Sequence, residues 1–214
     1  MRGIVWFRRD LRLADQPALT TACEDCDEVI PLFVFDEPLL QSKEFGSACV
    51  NFMLGCLDEL QASLAAFGLP LQWRRGCQVD EVVRAALEWE VDAVYWNRDY
   101  EPRALLRDRA VQERLAQEGI EAKTFKDHVV FEAEEVRGAT GEPMQRYSAY
   151  RARWWAKWHA VKPTVRAVPH PSTTIRKSVR LSAAPLPTAK ELGYEHLVPW
   201  IEPGERSARK QLRW

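Results

Sequence analysis

Five short strand-like runs, separated by stretches whose apolar residues recur every three or four positions, constrain this chain more than any other feature. The runs cover residues 3–7 (GIVWF), 28–35 (EVIPLFVF), 69–73 (LPLQW), 93–96 (AVYW) and 121–125 (EAKTF). Between the second and third, Val50, Leu54, Leu57, Leu60 and Leu64 fall at helical spacing, with Ser47 as candidate cap and Gly68 as stop. Asp80 stands as the cap of a second helix containing Val83, Ala86 and Leu87. A third helix, roughly 104–118, carries Leu105, Val111 and Leu115 before Gly119. Strand alternating with helix requires crossover connections, and these produce a parallel sheet covered on both faces. The expectation is therefore α/β: a doubly wound, five-stranded parallel sheet of Rossmann-like type. Such sheets bind ligands beyond the carboxyl ends of their strands.

That mouth is where the chain concentrates charge. The first run discharges into Arg8, Arg9, Asp10 and Arg12 before a helix signal at Pro17. Asp36 and Glu37 follow the second run, and Asn97, Arg98, Asp99 and Glu101 follow the fourth. For Arg8 and Arg9, ligand contact and local ion pairing stand as equal alternatives; for Asp10 a structural role is favoured. No G-x-G-x-x-G and no G-x-x-x-x-G-K-[ST] occurs, so a bare phosphate is a poor guest. A planar heterocycle whose N–H or O–H groups donate to carboxylates is a better one.

The net charge of −1 hides a division. Residues 1–145 sum to −11, whereas residues 146–180 hold nine Lys and Arg and no acid. Within the basic stretch, Tyr147, Tyr150, Trp154 and Trp158 form one helical stripe. Packing of that stripe on the core is favoured over direct nucleic-acid contact. From 162 to 190 five prolines mark a linker that either wraps the surface or stays mobile. A last helix signal near 203–205 leaves Trp200, Leu212 and Trp214 uncovered, as in a docking segment or the opening of a further domain. The five cysteines, including the lone C-x-x-C at Cys23 and Cys26, read as reduced structural thiols with no metal site. No apolar run approaches a membrane span and no signal-peptide pattern is present, so the expected compartment is cytoplasmic.

Several of these segments resemble the DNA photolyase/cryptochrome family. VWFRRDLRLADQPAL resembles its opening signature, PLFVFDEPLL its second-strand segment and YWNRDYEP the segment after the fourth strand. MQRYSAYRARWWAKW is similar, more loosely, to the stretch before its interdomain linker, and WIEPGERSARKQLRW to the start of its helical domain. The resemblance implies a light-harvesting antenna domain at 1–145, a basic aromatic helix and linker at 146–190, and the beginning of a helical FAD domain at 191–214. It implies a chromophore held by Arg8, Arg9, Phe35, Asp36, Asp99 and Glu101, with Cys49 standing where many members carry arginine. Deazaflavin or FMN is the implied chromophore, and an empty cavity is the rival. Folate is disfavoured because Arg103 and Ala104 replace the family's Asn–Glu pair. FAD is not expected on this chain, and no catalytic residue is assigned to it. The implied function is the light-harvesting part of a deoxyribodipyrimidine photolyase. The alternative is a stand-alone module binding a small molecule or a partner without repair. Expected partners are a helical FAD-binding domain or a second copy through the C-terminal segment, with DNA only weakly or indirectly engaged and no membrane.

Overall fold

The computed structural model of the chain describes residues 1–42, 45–168 and 181–212. Its centre is one five-stranded parallel sheet in the order β3-β2-β1-β4-β5. The strands are β1 (Arg2–Phe7), β2 (Glu28–Asp36), β3 (Gln72–Gly76), β4 (Ala93–Asn97) and β5 (Glu121–Phe125). The helices are α1 (Pro17–Asp25), α2 (Glu37–Leu40), α3 (Ser47–Ala66), α4 (Gln78–Glu88), α5 (Pro102–Gln117), α6 (Tyr147–Ala160) and α7 (Glu205–Gln211). The doubly wound expectation is met. The order reverses beside β1, which pairs with β2 on one side and β4 on the other, and there the strand ends open a crevice.

Alternation along the strands explains why the central ones read as unbroken apolar runs. Val5, Phe7, Phe33, Phe35 and Tyr95 face one core with Leu57, Leu60 and Leu64 of α3. Ile4, Trp6, Leu32, Val34, Val94 and Trp96 face the other with Val82 and Val83 of α4 and Val111 and Leu115 of α5. Both faces are buried, so neither needs polar residues. Gly3 carries no side chain for a steric reason: a Cβ there would lie 2.7 Å from Cys26 Sγ and 2.9 Å from a Tyr95 ring carbon.

Several boundaries differ from the sequence reading. The third strand begins at Gln72, not residue 69, because Leu69 and Leu71 fill the core from the preceding loop. It is an edge strand, and Gln72, Arg74 and Arg75 are tolerated on its half-open surface. Gly46, not Ser47, is the residue before α3, and α4 starts behind Cys77 with Asp80 in its first turn, where a carboxylate suits the helix dipole. Leu87 and Leu105 are exposed. On α5 the buried face is Ala104, Asp108, Val111 and Leu115.

The aromatic stripe is the larger correction. Of its four members only Trp154 and Trp158 are half-buried; Tyr147 and Tyr150 are exposed, and α6 buries no residue fully. In the proline-rich stretch, Pro169 and Pro171 lie outside the described residues, as does Trp214 at the end. The described part wraps the surface: the Trp73 indole donates to the Pro185 carbonyl at 3.1 Å and Leu192 is buried. Pro203 sits against Gly55 so closely that a Cβ there would fall 2.5 Å from the Pro203 ring. Glu205 then accepts from the Leu13 N–H at 2.8 Å, which ties α7 to the loop after β1. Trp200 and Leu212 remain exposed.

No disulfide joins the described cysteines. Cys26 Sγ lies 3.4 Å from the Tyr95 hydroxyl, and burial, reinforced by Cys26, pushes the Cys23 thiol up to about 12. Both belong to the packing. Among the described residues no helix is long and apolar enough to cross a membrane.

Candidate functional site

A cavity of about 720 Å³ opens above the carboxyl ends of β1, β2 and β4. Its volume is in the range that encloses a cofactor-sized ligand. One wall is apolar, made by Phe33 and Phe35 of β2, Leu40 of α2, Phe45, and Met53 of α3. Phe35 is locked edge-on between Phe33 at 4.9 Å and Trp73 at 5.6 Å, so that wall is preformed. The opposite wall is charged and comes from the residues after β1 and β4 and the first turns of α5.

Beneath the charged wall lies a cluster of three ionised groups. Arg8 Nη1 donates to Asp108 Oδ1 at 2.6 Å, and Arg107 donates to the same oxygen through Nε at 2.9 Å and Nη2 at 2.8 Å. The other oxygen, Oδ2, accepts from the Trp96 indole at 3.2 Å. Arg8 also donates to the Asn97 carbonyl, and both guanidiniums lie over the Trp6 ring, at 4.8 and 5.2 Å. Burial, with help from Arg107, pulls the Arg8 pKa down, against the pull of Asp108. One carboxylate thus bridges two guanidiniums, while Asp10 acts on Arg8 and Asp36 on Arg107 from farther off.

Nearer the opening, Arg9 pairs with Glu101 and, at 3.6 Å, with Asp99. Asp36 accepts a long 3.3 Å bond from the Gln78 N–H, and burial raises its pKa despite that donor and Arg107. Asp99 goes the other way. Burial pushes it up, but the Glu101 N–H, Arg9 and His128 outweigh burial and hold it below the ordinary 3.8. A carboxylate with a depressed folded value stabilises fully above its unfolded value, and that contribution is lost as pH falls through the folded one. The midpoint of urea unfolding should therefore decline below about pH 4. Asp99→Asn should cost about 1 kcal/mol at neutral pH and make the acid decline shallower. Parallel profiles for the two proteins would exclude Asp99 as the group responsible.

All seven residues singled out from the sequence, Arg8, Arg9, Phe35, Asp36, Cys49, Asp99 and Glu101, line this one cavity. Cys49 is an exposed residue of the first turn of α3. The open alternatives for Arg8 and Arg9 both materialise, since each is ion-paired and each also faces the cavity. Asp10 does not line it. It is buried behind, where it receives the side-chain amides of Gln16 and Asn97, each at 2.6 Å. The sequence reading missed Arg107, Gln78 and Asp108. The signal for Asp108 was available, as it occupies a core position in the α5 repeat.

The chain matches the family model described as DNA photolyase over residues 3–172. It is 33% identical to a deoxyribodipyrimidine photo-lyase of Synechococcus sp., over 98% of this chain and 44% of that protein. Among solved structures it matches a class III photolyase from Agrobacterium tumefaciens at 27% identity and a TM-score of 0.79, over 99% of this chain and 44% of the other. It matches an archaeal photolyase from Sulfolobus tokodaii, described with two FAD molecules and a novel light-harvesting cofactor, at 25% identity and a TM-score of 0.75, over 100% of this chain and 46% of the other. The chain thus spans about half the length of these relatives.

Proposed function

The chain belongs to the DNA photolyase family, and from that premise we propose that its cavity holds a flavin-class antenna chromophore, a deazaflavin or FMN. Such a ring absorbs near-ultraviolet or blue light and passes the excitation on. The protein's part is to hold it rigid, oriented and shielded from water. The observation that carries this reading is the two-sided cavity: an apolar, preformed wall for a planar ring against a charged wall for its polar edge. Asp36 is available to accept from a ring N–H, and Arg9 to approach an anionic or carbonyl oxygen. The relative described with two FAD molecules supports the same ligand class. The excitation would pass to a helical FAD-binding domain, and the exposed Val198, Trp200 and Leu212 support docking there; a second copy of the chain is the rival partner.

The test is titration of the protein with FMN and with a 5-deazaflavin, followed by absorbance and ligand fluorescence. A saturable, one-to-one signal is expected with one of them. Asp36→Ala and Arg9→Ala should each weaken it about tenfold, or about 1.4 kcal/mol. A protein that shifts neither spectrum would overturn the assignment.

A further inference from the structure

Helix α6 presents a surface that the cavity does not explain. Its inner face is anchored: Trp154 packs edge-on against Phe131 at 5.4 Å, and Lys157 Nζ donates to the Glu135 carbonyl at 2.8 Å. Trp158 stacks on Trp154 at 5.6 Å and is half-buried with it. Steps of four residues from Tyr147 give Arg151, Trp155 and His159, a separate stripe in which rings and a cation alternate. Every member is exposed, Tyr147 at 77% and Trp155 at 45%, and Trp155 stacks with His159 at 5.9 Å.

The charges of this region are also unspent. In the body Arg8, Arg9, Arg12, Arg74, Arg75 and Arg98 each face a carboxylate. Arg146, Arg151 and Lys162 face none among the described residues. A surface of unneutralised cations with exposed flat rings between them is complementary to a polyanion that carries flat rings of its own.

We propose that the outward face of α6, through Tyr147, Arg151, Trp155 and His159, binds single-stranded nucleic acid. A duplex hides the faces of its bases, whereas a single strand offers them to Tyr147 and Trp155 while its phosphates meet Arg146, Arg151 and Lys162. Tyr147 and Trp155, eight residues apart, stand about 12 Å apart along the helix, the rise of three to four stacked nucleotides at about 3.4 Å each. A lipid surface is the weaker match. A helix lying in a membrane interface buries a continuous apolar face, and here Trp154 and Trp158 are committed to the body while Arg151 interrupts the outer stripe. The acidic body opposes any polyanion, but at physiological salt its field is damped beyond about 8 Å.

The experiment is fluorescence anisotropy of the full chain with a labelled oligothymidylate, repeated between about 50 and 200 mM salt. A duplex of equal length and vesicles of mixed phosphatidylserine and phosphatidylcholine serve as competitors. The single strand should bind best, with a log–log salt slope of about −2 for three neutralised phosphates. Trp155→Ala should weaken binding about fivefold or more, and Trp155→Phe should restore most of it. Arg151→Gln, at an exposed position that faces no carboxylate among the described residues, should reduce the slope by about 0.7. Absence of binding at low salt, preference for duplex or vesicle, or indifference to both Trp155→Ala and Arg151→Gln would each overturn the proposal. Because the cavity plays no part, these outcomes are separable from chromophore binding.

Discussion

Asp108→Ala should lower the stability of the chain by about 3–5 kcal/mol, read as a shift in the urea midpoint at constant m-value. Among the described residues it is the carboxylate that pairs directly with the Arg8 guanidinium, and its removal leaves that guanidinium, with its side chain 5% exposed, only the more distant Asp10 and the Asn97 carbonyl. The Trp96 indole N–H loses its acceptor at the same stroke. A buried charge without a partner costs several kcal/mol, and a lost acceptor adds to it. Against a typical domain stability of about 5–15 kcal/mol this is a large fraction. Asp108→Asn keeps the shape and one acceptor but not the charge, so it should fall between the two. The double replacement Arg8→Met with Asp108→Leu removes the more buried pair and should recover part of the loss, but only part, because Arg107 and the Trp96 indole still lose their acceptor. An unchanged midpoint for Asp108→Ala would mean that solvent reaches the cluster.

That cluster also shows where sequence is informative and where it is silent. The central strands were legible because both faces are buried and the run of Ile4, Val5, Trp6 and Phe7 has nothing else to do. The edge strand β3 was placed three residues early, since a loop that dives into the core and a strand look alike when Leu69 and Leu71 are the buried residues. The cavity residues were legible because strand order dictates that residues after β1, β2 and β4 meet at one rim. Arg107 was not, because helix rotation decides which side chains of α5 turn inward and exposed Leu105 points to a different face; Asp108 sits in the repeat of Ala104, Val111 and Leu115, but a carboxylate at a core position is passed over when only apolar residues are counted. Helix α6 failed for the opposite reason. Spacing identified a stripe of rings, but spacing alone cannot say that Trp154 and Trp158 dock while Tyr147 and Tyr150 face water. The return of the C-terminal segment onto α3 depends on Gly55 admitting Pro203, a close approach with no periodic signature.

Asp10→Ala should cost about 2–4 kcal/mol and, unlike Asp108→Ala, should act on the cavity by loosening its rim. Asp10 holds three things together. Its Oδ1 accepts from the Arg8 N–H at 3.1 Å, and its Oδ2 accepts from Gln16 Nε2 and Asn97 Nδ2, each at 2.6 Å. Asn97 Oδ1 in turn accepts from the Ala18 N–H at 3.1 Å. The end of β1, the end of β4 and the start of α1 are thereby joined around one buried carboxylate, and all three residues are under 7% exposed. A network of this kind specifies one geometry when every member is satisfied and is costly when one is removed. Alanine leaves the Gln16 amide without its carboxylate and frees the loop that carries Arg9 to the cavity. Asparagine can keep an oxygen facing the two amides, but its NH₂ then meets the Arg8 N–H, so it should recover only part of the stability. Both variants should weaken chromophore binding along with stability, the alanine variant more. Retention of wild-type stability with lost binding would show that Asp10 contacts the ligand, and loss of stability with binding intact would show that the rim is held by Arg9, Asp99 and Glu101 alone.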